Sequence, residues 1–254
     1  MLRTAHCFAR TLKRGGLTKK TMSMSTTEVL LFDLDGCLYP IDNGYVGNIR
    51  ANIFEYMEKH AFVKDGESAE QTWKSLFKRY NQTLKGLKKS GFDVKDDEFW
   101  AYQRKDVAQF IKRDDKLKAL LDSLPFKKVV FTNCNEVEAR KCLALIGIED
   151  CFSAVYGAKF MAPYCKPEKE AFEKLVTELQ IPADHICFFE DSYKNLVTAK
   201  TMGMKTVLIE SETAREENVT ADGRAVLSAV ISTMSDDGLE LREKLPFLFD
   251  ASAI

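Results

Sequence analysis

The 254-residue chain lacks long apolar runs, closely spaced cysteine pairs and a marked excess of either charge. The first absence argues against a transmembrane helix, which needs about 20 consecutive apolar residues. A formal net charge of −1 gives no general reason to expect a nucleic acid polymer or a membrane surface as a partner. The seven cysteines are odd in number and have no Cys-x-x-Cys spacing, which argues against a structural zinc site and a disulfide framework. The composition, 45% hydrophobic and 30% charged, is typical of a globular protein, and the scattered cysteines indicate a reducing compartment.

Acidic residues are missing from the first 27 positions, where Lys, Arg, Ser and Thr are frequent. This composition resembles an organelle transit peptide, and it lacks the continuous apolar core of a secretory signal. We therefore predict that residues 1–27 are a basic extension that directs the protein to a mitochondrion or plastid. The alternative is a disordered basic tail on a cytoplasmic protein.

Short β-rich apolar runs alternate with helical patterns along most of the chain. Strands are predicted at 29–33, 128–132, 154–156, 186–190 and 206–209, and helices at 136–146, 168–179, 192–202 and 225–234. This alternation indicates an α/β fold, a doubly wound parallel sheet of the Rossmann-like kind with helices on both faces. The apolar stretch 245–249 is expected to pack onto this body.

One interval of about ninety residues, after the first strand, has little strand signal. Helical patterns at 48–59, 68–89 and 97–111 predict a helical cap inserted after the first strand, because a loop of this length without structure is improbable. We place the cap at 45–113 and the catalytic core at 28–44 and 114–254. Its aromatic residues are expected to form the cap's own core rather than a platform for stacking bases: Phe54, Tyr56, Trp73, Phe77, Tyr80, Phe99, Trp100 and Phe110.

Two carboxylates follow the first predicted strand, in the run Asp33-Leu34-Asp35-Gly36. Residues i and i+2 of an extended chain point to the same side, so Asp33 and Asp35 are expected to face one spot. Like charges at this range need a cation or a shared proton, and Mg²⁺ suits oxygen ligands. The motif therefore predicts a magnesium-dependent phosphoryl-transfer site. Its alternative is a strand that ends in an ordinary polar turn.

Three further motifs lie where a strand or loop meets the start of a helix: Thr132-Asn133, Lys166-Pro167 and Glu190-Asp191-Ser192. Ligands of parallel α/β sheets bind beyond the carboxyl ends of the strands, and amides at helix starts favour phosphate. Each motif also has a structural alternative, namely a strand-end cap, a solvated lysine or a helix-start cap. It is improbable that these three motifs and the Asp33-Leu34-Asp35-Gly36 motif all have only a structural role at such positions.

The order of these motifs resembles the haloacid dehalogenase superfamily of phosphatases, and most closely its pyrimidine 5′-nucleotidase-like branch. The residues that carry the resemblance are Asp33-x-Asp35-x-x-Leu38-Tyr39-Pro40, Leu124-Pro125-x-x-Lys128, Thr132-Asn133, Cys165-Lys166-Pro167 and Asp191-Ser192-x-x-Asn195. The resemblance covers roughly residues 28–210. The chain departs from the branch in having Glu190 where a second Asp is usual, and in a shorter stretch between Phe152 and Lys166.

The chemistry of these residues and the resemblance imply the same roles. Asp33 would be the nucleophile that forms an aspartyl-phosphate, and Asp35 the general acid and base, whose backbone carbonyl also binds Mg²⁺. Asp191 would complete the metal ligands with Asp33 and Asp35. Thr132 and the backbone of Asn133 would hold the phosphoryl oxygens, and Lys166 would neutralise charge shared between phosphate and Asp33. Glu190, Ser192 and Asn195 would support these residues, with Asn195 orienting Lys166 or Asp191.

Three classes of function stay open. The first is a phosphomonoesterase that acts on nucleoside 5′-monophosphates or similar small phosphorylated metabolites. The second keeps the scaffold for a sugar phosphomutase or a haloacid dehalogenase, and Asp35 argues against the dehalogenase because that reaction has no ester oxygen to protonate. The third is a non-catalytic regulator, which the complete set of acids disfavours. Residues just after the first motif are candidates to reach a base or sugar: Asn43, Tyr45, Asn48 and Arg50.

Overall fold

A computed structural model describes residues 27–217, 219–225, 227–235 and 238–250. The predicted basic extension lies outside these residues, apart from Thr27. Within the described part of the chain, no helix is both long enough and apolar enough to cross a membrane.

Six parallel strands form one sheet with the order β3-β2-β1-β4-β5-β6. The strands are β1 (Val29–Phe32), β2 (Lys127–Phe131), β3 (Ala154–Tyr156), β4 (Ile186–Glu190), β5 (Lys205–Ile209) and β6 (Ala229–Ile231). The sheet places β1 between β2 and β4, so the chain segments that follow these three strands meet at one edge. The predicted α/β fold with a doubly wound parallel sheet is confirmed.

Both faces of the sheet are buried, as the short apolar strands require. Leu30 and Phe32 of β1 belong to one hydrophobic cluster, and Val29 and Leu31 belong to the cluster on the other face. Helices, other strands and loops supply the rest of both clusters, and eight helices of the described residues follow the region of β1 and its insert. They are α6 to α13, at Asp115–Ser123, Glu136–Ile146, Ala158–Met161, Lys169–Leu179, Tyr193–Thr201, Glu212–Glu216, Ala221–Ala225 and Leu239–Lys244.

Five further helices, which we call the helical insert, lie between β1 and α6. They are α1 (Tyr45–Lys59), α2 (Ala69–Tyr80), α3 (Thr83–Lys89), α4 (Asp96–Gln103) and α5 (Val107–Phe110). The insert has its own hydrophobic cluster, in which Tyr56, Phe99 and Trp100 are buried. The predicted division into a core at 28–44 and 114–254 and a cap at 45–113 stays a prediction.

Three expectations for the insert are wrong in detail. The helix predicted at 68–89 is broken at Asn81, whose φ of +55° ends α2. The helix predicted at 97–111 is broken before Asp106, which has φ +68°. Phe77 is 37% exposed, and Phe110 packs against the sheet's hydrophobic cluster instead of the insert's. Helical spacing of apolar residues continues across these breaks, so it did not reveal them.

The helix predicted at 225–234 is also wrong. Residues Ala229–Ile231 form β6, which pairs with β5 and covers its open edge. Val230 and Ile231 are β-branched and suit a strand, and pairing satisfies backbone groups of β5 that would otherwise lack partners. The apolar stretch 245–249 packs as expected, with Leu245 and Leu248 in the hydrophobic core.

Candidate active site

A cavity of about 470 Å³ lies between the carboxyl edge of the sheet and the helical insert. Asp33 follows β1, Thr132 follows β2, and Glu190 and Asp191 lie at the end of β4. All four residues line the cavity, together with Lys166. The fold therefore brings the four sequence motifs to one place.

Lys166 is the centre of the hydrogen bonds at the floor of the cavity. Its Nζ lies 2.7 Å from Asp33 Oδ1, 2.7 Å from Glu190 Oε2 and 2.7 Å from the carbonyl oxygen of Phe131. The lysine is only 1% exposed, so it is not a solvated surface residue. A buried ammonium is stable only when it is paired, and here it donates to three oxygens. Burial alone would lower the pKa of Lys166, but the charges of Asp33 and Glu190 outweigh it and raise the pKa.

The carboxylates around Lys166 bind protons more tightly than free side chains do. Burial and then the charge of Glu190 raise the pKa of Asp33 to about 7, against the opposing effect of Lys166. Burial also raises the pKa of Glu190 to about 7. Burial and the charge of Asp33 raise the pKa of Asp191 to about 6. Together these residues hold more negative charge than one lysine balances, which is the electrostatic condition for a bound cation.

Three carboxylates could together hold a metal ion. One oxygen from each of Asp33, Glu190 and Asp191 lies within 4.8 Å of the others, and all three residues are buried. Gly36 allows this approach, because a Cβ at that position would lie 2.4 Å from Asp191 Oδ2. A small hard cation such as Mg²⁺ fits a set of oxygen donors of this kind. Glu190 thus belongs to the same carboxylate group as Asp33 and Asp191.

Asp35 does not belong to this carboxylate group. Both its oxygens accept hydrogen bonds from Arg104, one of them at 3.0 Å, and Tyr39 also donates to it. Burial acts to raise the pKa of Asp35, but the Arg104 guanidinium and the Tyr39 hydroxyl outweigh it and lower the pKa. The expectation that the backbone carbonyl of Asp35 binds Mg²⁺ stays a prediction.

Arg104 is a residue of the site that the sequence reasoning missed. It follows α4 in the insert, is 6% exposed, and lies 69 positions from Asp35 along the chain. Its Nε is buried without a hydrogen-bond partner among the described residues. A single arginine in a charged stretch carries no local signal, so only the fold shows this pair.

The loop after β2 holds the backbone of Lys166. Asn133 Oδ1 accepts a hydrogen bond from the Lys166 backbone N–H at 2.9 Å, and Asn133 Nδ2 donates to the Lys166 carbonyl oxygen at 3.0 Å. The buried hydroxyl of Thr132 accepts a hydrogen bond from the backbone N–H of Cys134 at 3.1 Å. The predicted phosphate-binding residues Thr132 and Asn133 are therefore fixed beside Lys166.

The residues after β4 support Glu190. Asn195 Nδ2 donates to Glu190 Oε2 at 3.0 Å, and the Ser192 backbone N–H donates to Oε1 at 3.1 Å. The Ser192 hydroxyl donates to Glu217. Asn195 therefore contacts Glu190, which in turn binds Lys166.

Two cysteines lie beside the first two motifs, and one of them, Cys134, lines the cavity. Cys37 and Cys134 are buried, and desolvation raises the pKa of each thiol well above its ordinary value, which agrees with a packing role. Of the residues suggested to reach a base or sugar, Arg50 lines the cavity. Tyr45 is fully buried against Phe110 instead.

A profile of haloacid dehalogenase-like hydrolases matches residues 27–203. This span is more than half of the chain, and the chain therefore belongs to the haloacid dehalogenase-like hydrolases. Phosphate metabolism protein 8 of Saccharomyces cerevisiae is 28% identical over 210 residues, which cover 76% of this chain and 65% of the yeast protein. The chain thus spans just under two thirds of the length of that relative.

Solved structures with the same fold cover nearly the whole of their own chains. The HAD phosphatase from Thermococcus onnurineus has a TM-score of 0.57 at 20% identity, with 86% of this chain and 98% of that chain covered. The HAD hydrolase YfnB from Bacillus subtilis, solved bound to magnesium, has a TM-score of 0.56 at 17% identity, with 86% and 98% covered. At such identities the likeness shows the fold.

Proposed function

We propose that this protein is a Mg²⁺-dependent phosphomonoester hydrolase that acts through an aspartyl-phosphate, on pyrimidine nucleoside 5′-monophosphates or similar small phosphorylated metabolites. One observation carries the proposal. The buried Asp33 lies at the floor of the cavity, bound to Lys166 and grouped with Glu190 and Asp191. This arrangement can bring an anionic nucleophile to an anionic phosphate, because cations offset the repulsion between them.

The first half of the reaction uses the carboxylate of Asp33. Lys166 binds its Oδ1, while Oδ2 has no hydrogen-bond partner within the described ranges. Oδ2 attacks phosphorus, and the bond from phosphorus to the ester oxygen breaks. Lys166, Thr132 and the backbone of Asn133 surround the transferring group. Magnesium, when bound by Asp33, Asp191 and the Asp35 carbonyl, would supply Lewis-acid stabilisation of the phosphoryl oxygens.

Asp35 serves both halves of the reaction. It gives a proton to the departing alkoxide, and then takes a proton from the water that hydrolyses the aspartyl-phosphate, which releases inorganic phosphate and restores Asp33. The ionised form of Asp35, which accepts hydrogen bonds from Arg104 and Tyr39, is the form that can take a proton. Before it can donate one, Asp35 must hold the proton that it took from water in the preceding turnover, and must exchange at least part of this contact with Arg104 for the leaving-group oxygen.

The cavity supports a substrate larger than phosphate itself. Its volume of about 470 Å³ is within the range of sites for small organic ligands. Part of its wall comes from the insert, including Trp73 and Phe77, whose ring centres lie 5.2 Å apart. The Arg50 guanidinium lies 5.7 Å from the Trp73 ring centre. These groups suit a leaving group with a flat ring and polar substituents, as in a nucleoside.

The test is phosphate release from a panel of phosphomonoesters, with and without Mg²⁺. The panel contains UMP, CMP, AMP, sugar phosphates and pyridoxal phosphate. Preference for UMP and CMP would support the nucleotidase proposal, and broad weak release would retain the phosphatase without it. Absence of release with interconversion of sugar phosphates would favour the mutase. Absence of both would leave the non-catalytic alternative.

Replacing Asp191 by Asn should raise the Mg²⁺ concentration for half-maximal activity by more than about tenfold, because a metal ligand loses its charge. Activity titrated against Mg²⁺ measures this shift. Asp184→Asn is the matched control, since Asp184 is exposed near the other end of β4. An unchanged Mg²⁺ requirement would remove Asp191 from the ligand set.

The metal-free protein should become less stable as pH rises from about 5 to about 7.5. The pKa values of Asp33 and Glu190 are raised to about 7, and that of Asp191 to about 6, so the folded state binds more protons than the unfolded state in this window. Mg²⁺ replaces these protons and should therefore stabilise more at pH 8 than at pH 5.5. Urea unfolding in EDTA and in Mg²⁺ at both pH values tests this. A metal-free stability that rises across the window would contradict the charge balance described above.

A further inference from the structure

The break between α2 and α3, which we call the elbow (residues 80–85), touches the core at the loops that carry the chemistry. Asn81 Nδ2 donates to the Lys166 carbonyl oxygen at 2.6 Å. Gln82 Nε2 donates to the Asn133 carbonyl oxygen at 3.1 Å. The Cys165 thiol donates to the Tyr80 carbonyl oxygen at 3.3 Å. These contacts bind the insert to the residues that surround Asp33.

The contacts continue directly to the nucleophile. The Lys166 carbonyl oxygen accepts two amide donors, Asn81 from the insert and Asn133 from the core. The Nζ of the same lysine binds Asp33. Lys85 adds an ion pair to Glu168, two residues after Lys166. Movement of the elbow away from the core would therefore remove one of the two amides that hold the Lys166 backbone.

Asn81 combines two properties. Its φ of +55° ends α2, and its backbone N–H donates to the Phe77 carbonyl oxygen at 2.8 Å. Asn tolerates this left-handed conformation better than most residues, and its side chain carries the amide that reaches Lys166. Gln180 ends α9 with the same geometry, at φ +56°, but is exposed. The conformation alone therefore needs no contact with the site, and the Lys166 contact is a separate feature.

We infer that Asn81 and Gln82 are positioning residues, which hold the Lys166 and Asn133 loops in the geometry that binds the transferring phosphoryl group. This inference rests on the proposed function and extends it, because part of phosphoryl-group binding then depends on the insert. A residue that only touched the leaving group would leave binding of a free phosphate analogue unchanged. Asn81 acts through Lys166, so its loss should weaken binding of the analogue itself.

The test uses Asn81→Gly, which keeps the left-handed conformation and deletes the amide, and Asn81→Asp, which keeps the shape and replaces the donor. Gln180→Gly and Gln180→Asp are the matched controls.

Loss of one hydrogen bond at the site should raise the inhibition constant of orthovanadate about tenfold and lower kcat similarly, with little change in KM. Gln82→Ala should shift both quantities in the same direction. Unchanged orthovanadate inhibition in both Asn81 variants would overturn the inference.

A second readout needs no turnover. Hydrogen exchange of the backbone amides of Cys165, Lys166 and Glu168 should be about tenfold faster in Asn81→Gly than in the unaltered protein, and unchanged in Gln180→Gly. Exchange that does not accelerate would also overturn the inference, whatever the activity. Accelerated exchange in a protein that hydrolyses no phosphomonoester would instead support the positioning contact and count against the proposed function alone. The two failures are therefore distinguishable.

Discussion

Asp33→Asn should reduce phosphate release by more than about 10⁴-fold, because an amide oxygen is a poor nucleophile and cannot form the aspartyl-phosphate. The variant should fold normally. Asn has the shape of Asp, and its carbonyl oxygen can still accept the hydrogen bond that Lys166 donates to Asp33 at 2.7 Å. Lys166 also keeps its bonds to Glu190 and to the Phe131 carbonyl oxygen. Turnover and thermal unfolding of the purified variant measure the two effects.

The variant also removes one of three closely grouped carboxylates, so its stability in EDTA at pH 8 should equal or exceed that of the unaltered protein. Asp184→Asn again controls for the loss of one negative charge. An acid quench during turnover should trap phosphate on a peptide that contains Asp33 in the unaltered protein and on none in Asp33→Asn. Substantial turnover in the variant would rule out Asp33 as the nucleophile.

Sequence reasoning succeeded where the signal is local. The apolar runs of β1, β2 and β4 reveal the parallel sheet, because each is short, buried and followed by a polar residue at the carboxyl edge. That edge is where parallel sheets bind ligands, so the positions of Asp33, Thr132 and Glu190 at strand ends are enough to group them. The motif order then related the chain to its family.

The features that escaped prediction depend on long-range contacts. Arg104 and Asn81 both belong to the insert. Arg104 contacts Asp35, 69 positions away along the chain, and Asn81 contacts Lys166, 85 positions away. Neither residue forms part of a motif. The strand β6 is only three residues long and is defined by pairing with β5, so its local pattern resembles a helix as readily as a strand. Helix breaks at Asn81 and Asp106 likewise depend on backbone conformation that apolar spacing does not encode.

Lys166→Met should lower both stability and turnover by large amounts. Its ammonium is buried and donates to Asp33, Glu190 and the Phe131 carbonyl oxygen. Removing one partner of a buried ion pair leaves uncompensated charge, which costs about 3–5 kcal/mol of unfolding free energy. The loss of stability should be greatest at pH 8 in EDTA and smaller at pH 5.5. Without Lys166 the pKa values of Asp33 and Glu190 rise further. Both groups therefore bind protons at pH 5.5, which removes the uncompensated charge. Phosphate release should fall by more than about 10³-fold, since the charge that offsets Asp33 and phosphate is gone.

A double variant separates the structural role of Lys166 from its role in turnover. Lys166→Met combined with Glu190→Gln removes one cation and one anion, so most of the lost stability should return while phosphate release stays absent. Lys200→Met, an exposed lysine of α10, controls for loss of positive charge. Urea unfolding measures the stability, and phosphate release the turnover, of the unaltered protein, Lys166→Met, the double variant and Lys200→Met. Recovery of turnover together with stability would mean that Lys166 is needed only to fold the site, and that the phosphoryl group is neutralised elsewhere.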